Sequence, residues 1–147
     1  MVAAVNKFRK ALSLSLATAA VLAASVTMST AAQAASSPIE ACGGGSYHEI
    51  DSHKLGSVAT IRLLYNGSTN CVVTWRTNPG SPTRLLAAIA KENADGSYTD
   101  FKNDDKPYTT YAGPVKVSAA GKCIIWGGGV TISGVWNAWY SAPSHCG

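Results

Sequence analysis

Two short runs of β-branched and aromatic residues in this chain each begin at a cysteine, Cys71-Val72-Val73-Thr74-Trp75 and Cys123-Ile124-Ile125-Trp126. Such runs fit a pleated, half-buried surface, so each reads as a central strand stapled at one end. The second run lies within the stretch Tyr111 to Gly129. There Pro114 can join a ladder only at an edge or a strand start, and Ser118 to Gly121 suit a turn. Gly127 to Gly129 are expected to end the apolar run after Trp126.

The N-terminus sets the compartment. Lys7, Arg9 and Lys10 precede an uncharged, alanine- and leucine-rich run from Ala11 to about Val26, and Ala32-Gln33-Ala34 offers the small residues that a signal peptidase reads. Residues 1–34 are therefore expected to be a secretory signal peptide and 35–147 a single secreted domain. The apolar run is shorter than the ~20 residues of a spanning helix, so the mature chain is not expected to span a membrane. Removing the signal leaves nine basic against eight acidic residues, a net charge of +1 in place of the full chain's +4. Those basic residues are scattered singly, which excludes nucleic acid as a partner, because that reading needs a basic stripe to neutralise phosphates. All four cysteines, Cys42, Cys71, Cys123 and Cys146, fall in the exported part, where an even count argues for two disulfides. None sit at the C-x₂₋₄-C spacing of zinc sites.

Along the mature chain, Ser46 to Asp51 reads as a first short strand. In Val58 to Tyr65, Ala59, Ile61, Leu63 and Tyr65 alternate with Val58, Thr60, Arg62 and Leu64, and the first set is expected to face the core. Asn66-Gly67 offers the positive backbone angles of a hairpin turn, pairing this strand with Cys71–Thr77. Asn66-Gly67-Ser68 also matches the N-glycosylation pattern and is read as a turn. Asn78 to Pro82 is a second turn. Arg84 to Glu92 has helix-like composition but is short and lacks a cap, so with Asp95-Gly96 and Ser97 to Phe101 it reads as another hairpin. Asn103 to Pro107 is expected to break the chain again. Tyr108 to Val117, Lys122 to Trp126 and Val130 to Tyr140 are the last strands, with a bulge or kink at Gly134. Simple reversal of successive strands puts all four cysteines at one end. Two pairings survive, Cys42–Cys71 with Cys123–Cys146, or Cys42–Cys146 with Cys71–Cys123. The first closes the smaller loops and is preferred.

Catalytic chemistry finds little support. His48-Glu49-Ile50-Asp51-Ser52-His53 resembles the metalloprotease pattern, but its histidines are five apart where one helical face needs four, and a strand would put them on opposite faces. There is no Gly-x-Ser-x-Gly elbow for a serine nucleophile. His145 can hold a fixed position only if the neighbouring Cys146 staples it. Asp95, Asp100, Asp104 and Asp105 all lie in or near predicted turns, as surface residues do, and Asn103-Asp104-Asp105 lacks the calcium-loop pattern. No catalytic residue, metal site or cofactor is therefore expected. Of the tryptophans, Trp136 and Trp139 are three apart on a strand, so one should point outward, where it could stack on a sugar.

Several motifs together resemble the small secreted spore-associated proteins of streptomycetes and related actinomycetes. They are Ala41-Cys42-Gly43 with Gly45 and Tyr47, Leu64-Tyr65-Asn66, Asn70-Cys71-Val72-Val73-Thr74, Tyr111-Ala112-Gly113-Pro114-Val115, Ala120-Gly121-Lys122-Cys123, Trp126-Gly127-Gly128 and His145-Cys146-Gly147. Thr83 to Lys106 matches that pattern least, and Trp136 to Tyr140 is more aromatic than it. The resemblance implies a secreted, spore- or cell-surface-associated protein that is not an enzyme, with spore coat or cell-wall components as partners. From the residues themselves the expected fold is all-β, a small antiparallel sandwich or barrel-like domain stapled by two disulfides. Two other functions stay open: a carbohydrate- or cell-wall-binding module using the outward tryptophan, and a protease inhibitor presenting Thr77 to Thr83 as a rigid loop near a disulfide.

Overall fold

A computed structural model describes residues 34–147, and the expected signal peptide lies outside them except for Ala34. Among the described residues one short helix precedes eight strands: α1 (Pro38–Cys42), β1 (His48–Leu55), β2 (Ala59–Tyr65), β3 (Thr69–Arg76), β4 (Thr83–Glu92), β5 (Tyr98–Tyr108), β6 (Tyr111–Ser118), β7 (Ile124–Ile132) and β8 (Val135–Tyr140). All pairings are antiparallel, in two four-stranded sheets ordered β1-β2-β3-β6 and β5-β4-β7-β8. The fold is the expected all-β, disulfide-stapled one. No described helix is long and apolar enough to cross a membrane.

The inner faces of the sheets meet in one apolar cluster, with Ile61, Leu63 and Val72 against Leu85, Ile89, Ile124, Trp126 and Val130. Each large side chain removed from water contributes about 1.5–3 kcal/mol, which makes this cluster the main attraction between the sheets. As expected, Ala59, Ile61 and Leu63 of β2 face it, whereas Tyr65, the fourth of that set, is only half-buried and lies outside the cluster. Leu64, placed in the outward set, is also fully buried, packed with Cys42, Tyr47, Cys71 and Val73. Helix α1 and Tyr47 lie over that half of the outer face. Ser37 caps α1 by accepting a hydrogen bond from the Glu40 N–H (3.2 Å), and Gly43 ends it at φ +115°. β4 is a strand despite its composition, because Leu85 to Ala90 are buried on both faces, which produces a continuous apolar run.

Four boundaries differ from those expected. β1 runs on to Leu55 because it pairs with β2 as far as Ala59. Asn103 to Pro107 continue β5: this edge strand bonds only to β4, so Pro107 needs no amide hydrogen, Asn103 and Lys106 stay in solvent, and Asp104 and Asp105 are half-buried. Tyr108 therefore ends β5, the chain reverses at Thr109-Thr110, and β6 begins at Tyr111. The glycines after Trp126 end nothing. Gly127, Gly128 and Gly129 lie buried inside β7, where a Cβ at Gly128 would stand 2.2 Å from Thr74 Oγ1 and 2.6 Å from Leu86 O. Val130 to Tyr140 is a hairpin and not one kinked strand. Its two-residue turn, Ser133-Gly134, has φ +48° and +80°, the positive pair that a tight hairpin turn requires.

The disulfides are Cys42–Cys71 and Cys123–Cys146, the preferred pairing. All four cysteines lie at one end: Cys71 is near the start of β3, which pairs with the end of β6, and the Cys123 carbonyl accepts from Glu92 N–H at the end of β4 (2.9 Å). Side chains close the two open seams between the sheets. His53 of β1 stacks on Trp139 of β8, centroids 4.0 Å apart, and Trp139 meets Trp126 edge-on at 5.1 Å. On the opposite seam the Asp104 carboxylate of β5 accepts from Gly113 N–H of β6 (2.8 Å) and from the Tyr108 hydroxyl (2.6 Å).

Candidate functional site

The outer face of the β5-β4-β7-β8 sheet is built on small residues. Ala88 and Ala90 of β4 pair with Gly127 and Ile125 of β7, and Gly127 and Gly129 pair with Tyr140 and Ala138 of β8. A Cβ on Gly127 would come within 2.5 Å of the Tyr140 ring, and one on Gly129 within 2.5 Å of the Trp136 indole. Bare backbone is what lets both rings lie down across the sheet. Arg84 covers Trp136, its guanidinium carbon 4.1 Å from the ring centroid, and Asp105 holds that guanidinium with two bonds of 2.8 and 2.7 Å. The hydrogen bonds from Arg84 hold the Asp105 carboxyl below its usual range. Burial, then the charge of Asp105, pushes the Tyr140 phenol up, with Arg84 pulling it back, so the ring is neutral at physiological pH. Beside this pair lies an apolar patch. Phe101, Tyr98 and Tyr140 are 61%, 48% and 48% exposed and, with Ala88, Ala90 and Ile125, they line a shallow hollow of about 180 Å³. No ionisable carboxylate, amine or imidazole lines it, so its chemistry is apolar contact and ring stacking.

The other residues singled out in the sequence are scattered. A bulge between Glu49 and Asp51 sets His48 opposite Tyr65 and His53 opposite Ile61, so the two histidines share a side of β1 instead of opposing each other. They remain four ladder positions apart and each meets an aromatic ring, His48 on Tyr65 and His53 on Trp139. Among the described residues no three His, Cys, Asp or Glu side chains gather as a metal set. His145 is held beside its staple by Asp51, Nε2 to Oδ2 3.1 Å, which ties the C-terminal segment to β1. Asp95 lies in the expected turn and accepts from Ser97, while Asp100, Asp104 and Asp105 sit on β5, not in turns. Asp100 pairs with Lys91. Trp139 points inward and Trp136 outward, as their spacing predicts. The Thr77–Thr83 loop lies at the start of β4, the end opposite both disulfides, and is braced instead by Arg76 Nη1, which donates to Ser81 O and Thr109 O, both at 2.9 Å. Sequence reasoning missed Phe101 and Tyr98 as partners of Tyr140, since the pairing of β5 beside β4 is what brings them together.

Among curated proteins, the chain is 39% identical over 108 residues to Spore-associated protein A of Streptomyces coelicolor, a match covering 72% of this chain and 64% of that relative's length. The chain is thus similar to a spore-associated protein and spans just under two thirds of its length. No protein-family model matches it, and no solved structure does. The motifs that carry the likeness to spore-associated proteins are framework residues. Cys42, Cys71, Cys123 and Cys146 form the two disulfides. Asn66 Oδ1 accepts from Ser68 and Thr69 N–H to shape the β2–β3 turn (3.1 and 2.8 Å). Gly113 receives Asp104 across the seam, and Trp126 fills the core above Gly128.

Proposed function

We propose that this relative of the spore-associated proteins is an exported, non-catalytic component of the spore or cell surface, attached through the aromatic face of the β5-β4-β7-β8 sheet. The observation that carries the reading is that face: Phe101, Tyr98 and Tyr140 stand about half exposed around an apolar hollow, and Tyr140 lies flat over Gly127, a glycine that would otherwise weaken a central strand. The signal-peptide pattern and the two disulfides support an oxidising compartment outside the cytoplasm. Spore coat or cell-wall components are the partners.

The test is retention on washed spores and isolated cell walls. The native protein should stay bound through a high-salt wash, as apolar adhesion predicts, and Phe101→Ser with Tyr140→Ser should release at least tenfold more at unchanged melting temperature. Failure of the native protein to bind either surface overturns the surface role, and equal retention of the double variant overturns the face. Turnover of model esters, peptides or glycosides by the purified protein would remove the non-catalytic part.

A further inference from the structure

The outer face of the β1-β2-β3-β6 sheet is only half covered. α1 and Tyr47 lie over Leu64, Cys71 and Val73, and beyond them a row crosses four strands on the same face: Lys54 opposite Thr60, Thr60 opposite Trp75, Trp75 opposite Tyr111. Trp75 and Tyr111 stand ring to ring, centroids 4.6 Å apart and planes within 4°. Tyr111 thus occupies one face of the indole and props it upright. The other face looks over the short Thr60 side chain toward Lys54. Two strand spacings of about 4.8 Å put those walls roughly 10 Å apart, which leaves a slot the width of one ring. The groove at this position encloses about 450 Å³, with Ser57, Arg62 and Thr77 also on its lining.

The charges in the slot are unevenly committed. Arg62 Nη1 binds Glu49 (2.6 Å), but its Nε is shielded from water and has no partner. Arg76, at the rim, spends Nη1 on two carbonyls. Among the described residues Lys54 has no carboxylate within ion-pair distance. An upright aromatic wall, three hydroxyls and an ammonium without a counter-ion surround a gap one ring wide. We infer that this slot binds a sugar residue that carries an anionic group, within a carboxylated or phosphorylated glycan. The indole stacks on the ring, the hydroxyls of Ser57, Thr60 and Thr77 meet its hydroxyls, and Lys54 takes the anion. The site lies on the opposite sheet from the aromatic face, so it stands or falls independently of how the protein attaches to spores.

Binding to polygalacturonate, to a phosphomannan whose mannose rings carry phosphate, and to neutral chitin hexamer, measured by calorimetry on the mature disulfide-bonded protein, tests this. The native protein should bind at least one of the two anionic polymers, more weakly as salt is raised, and bind chitin hexamer at least tenfold less tightly. The preferred polymer identifies the anion as carboxylate or phosphate. Thr60→Tyr fills the slot with a residue well suited to a strand, and Lys54→Glu, on the exposed rim, reverses its charge without touching the core. Each should lower affinity at least tenfold at unchanged melting temperature. Absence of binding to both anionic polymers, equal binding of chitin or of a single-stranded oligonucleotide, or full affinity in Lys54→Glu would each overturn the proposal.

Discussion

Gly128 of β7 sits against Thr74 and Ile61 of the facing sheet. A side-chain carbon there would collide with Thr74 Oγ1 and Leu86 O, the two atoms joined by a fully buried hydrogen bond of 2.6 Å between β3 and β4. Overpacking costs about 1–3 kcal/mol and leaving a buried hydrogen-bonding group unpaired about 1–3 kcal/mol more, so Gly128→Ala should remove much of the stability measured by urea unfolding. Gly45→Ala meets no atom within 4 Å and should stay within about 0.5 kcal/mol of the native protein. A Gly128→Ala midpoint equal to that of Gly45→Ala would contradict the packing described for β7. Tyr108 supplies a pH effect. Burial first, then its hydrogen bond to Asp104 and that carboxylate's charge, pushes the phenol up to about 12 from 10.0. The folded state therefore holds this proton more tightly than the unfolded chain. The contribution is complete below pH 10 and is lost as pH rises from 10 to 12. Tyr108→Phe should flatten the alkaline fall in stability over that window relative to the native protein, as followed by dichroism; an unchanged slope would mean that the phenol is not linked to folding.

At the level of elements, the disulfides hold pieces that could not stay in place alone. α1 has five residues and covers Leu64 and Val73 only because Cys42 is bonded to Cys71. Each staple should contribute about 2–4 kcal/mol, so reducing both should lower the melting temperature by at least about 10 °C. Cys42→Ser with Cys71→Ser should expose the chain before β1 to proteases first. A reduced protein that melts within a few degrees of the oxidised one would show that the cysteines are not structural staples. Much of this frame is legible in the sequence, because the turn at Asn66-Gly67, the alternation in β2 and the placement of cysteines at strand starts are local signals. The glycines of β7 read as a break because the reasons for them lie on other strands: the Tyr140 and Trp136 rings over Gly127 and Gly129, and Thr74 and Leu86 against Gly128. Asn103 to Pro107 were misread because nothing nearby in sequence reveals that β5 is an edge. The bulge at Ile50 likewise reversed the expected facing of His48 and His53. The Trp75 slot was within reach: the turn that sets Tyr65 opposite Asn70 also sets Thr60 opposite Trp75. The place of Lys54 in that row follows from the turn after Leu55, but a first strand read only as far as Asp51 leaves Lys54 outside it.

Considered as a whole molecule, the sandwich has its two candidate surfaces on the outer sides of different sheets, the aromatic face on β5-β4-β7-β8 and the slot on β1-β2-β3-β6. The two proposals together predict that one molecule engages both a spore surface and an anionic glycan. Native protein should clump spores with polygalacturonate- or phosphomannan-coated beads, whereas Phe101→Ser with Tyr140→Ser, Lys54→Glu, and a mixture of the two variants should all fail. Clumping by the mixture would show that the surfaces need not share a molecule. Between those surfaces lies a close-packed interior, and such interiors hardly compress. A coating one molecule thick would keep the same gauge through drying and rewetting, a constancy that reflectivity of the hydrated and dried film would register, because its thickness is set by two layers of strands and not by the water around them.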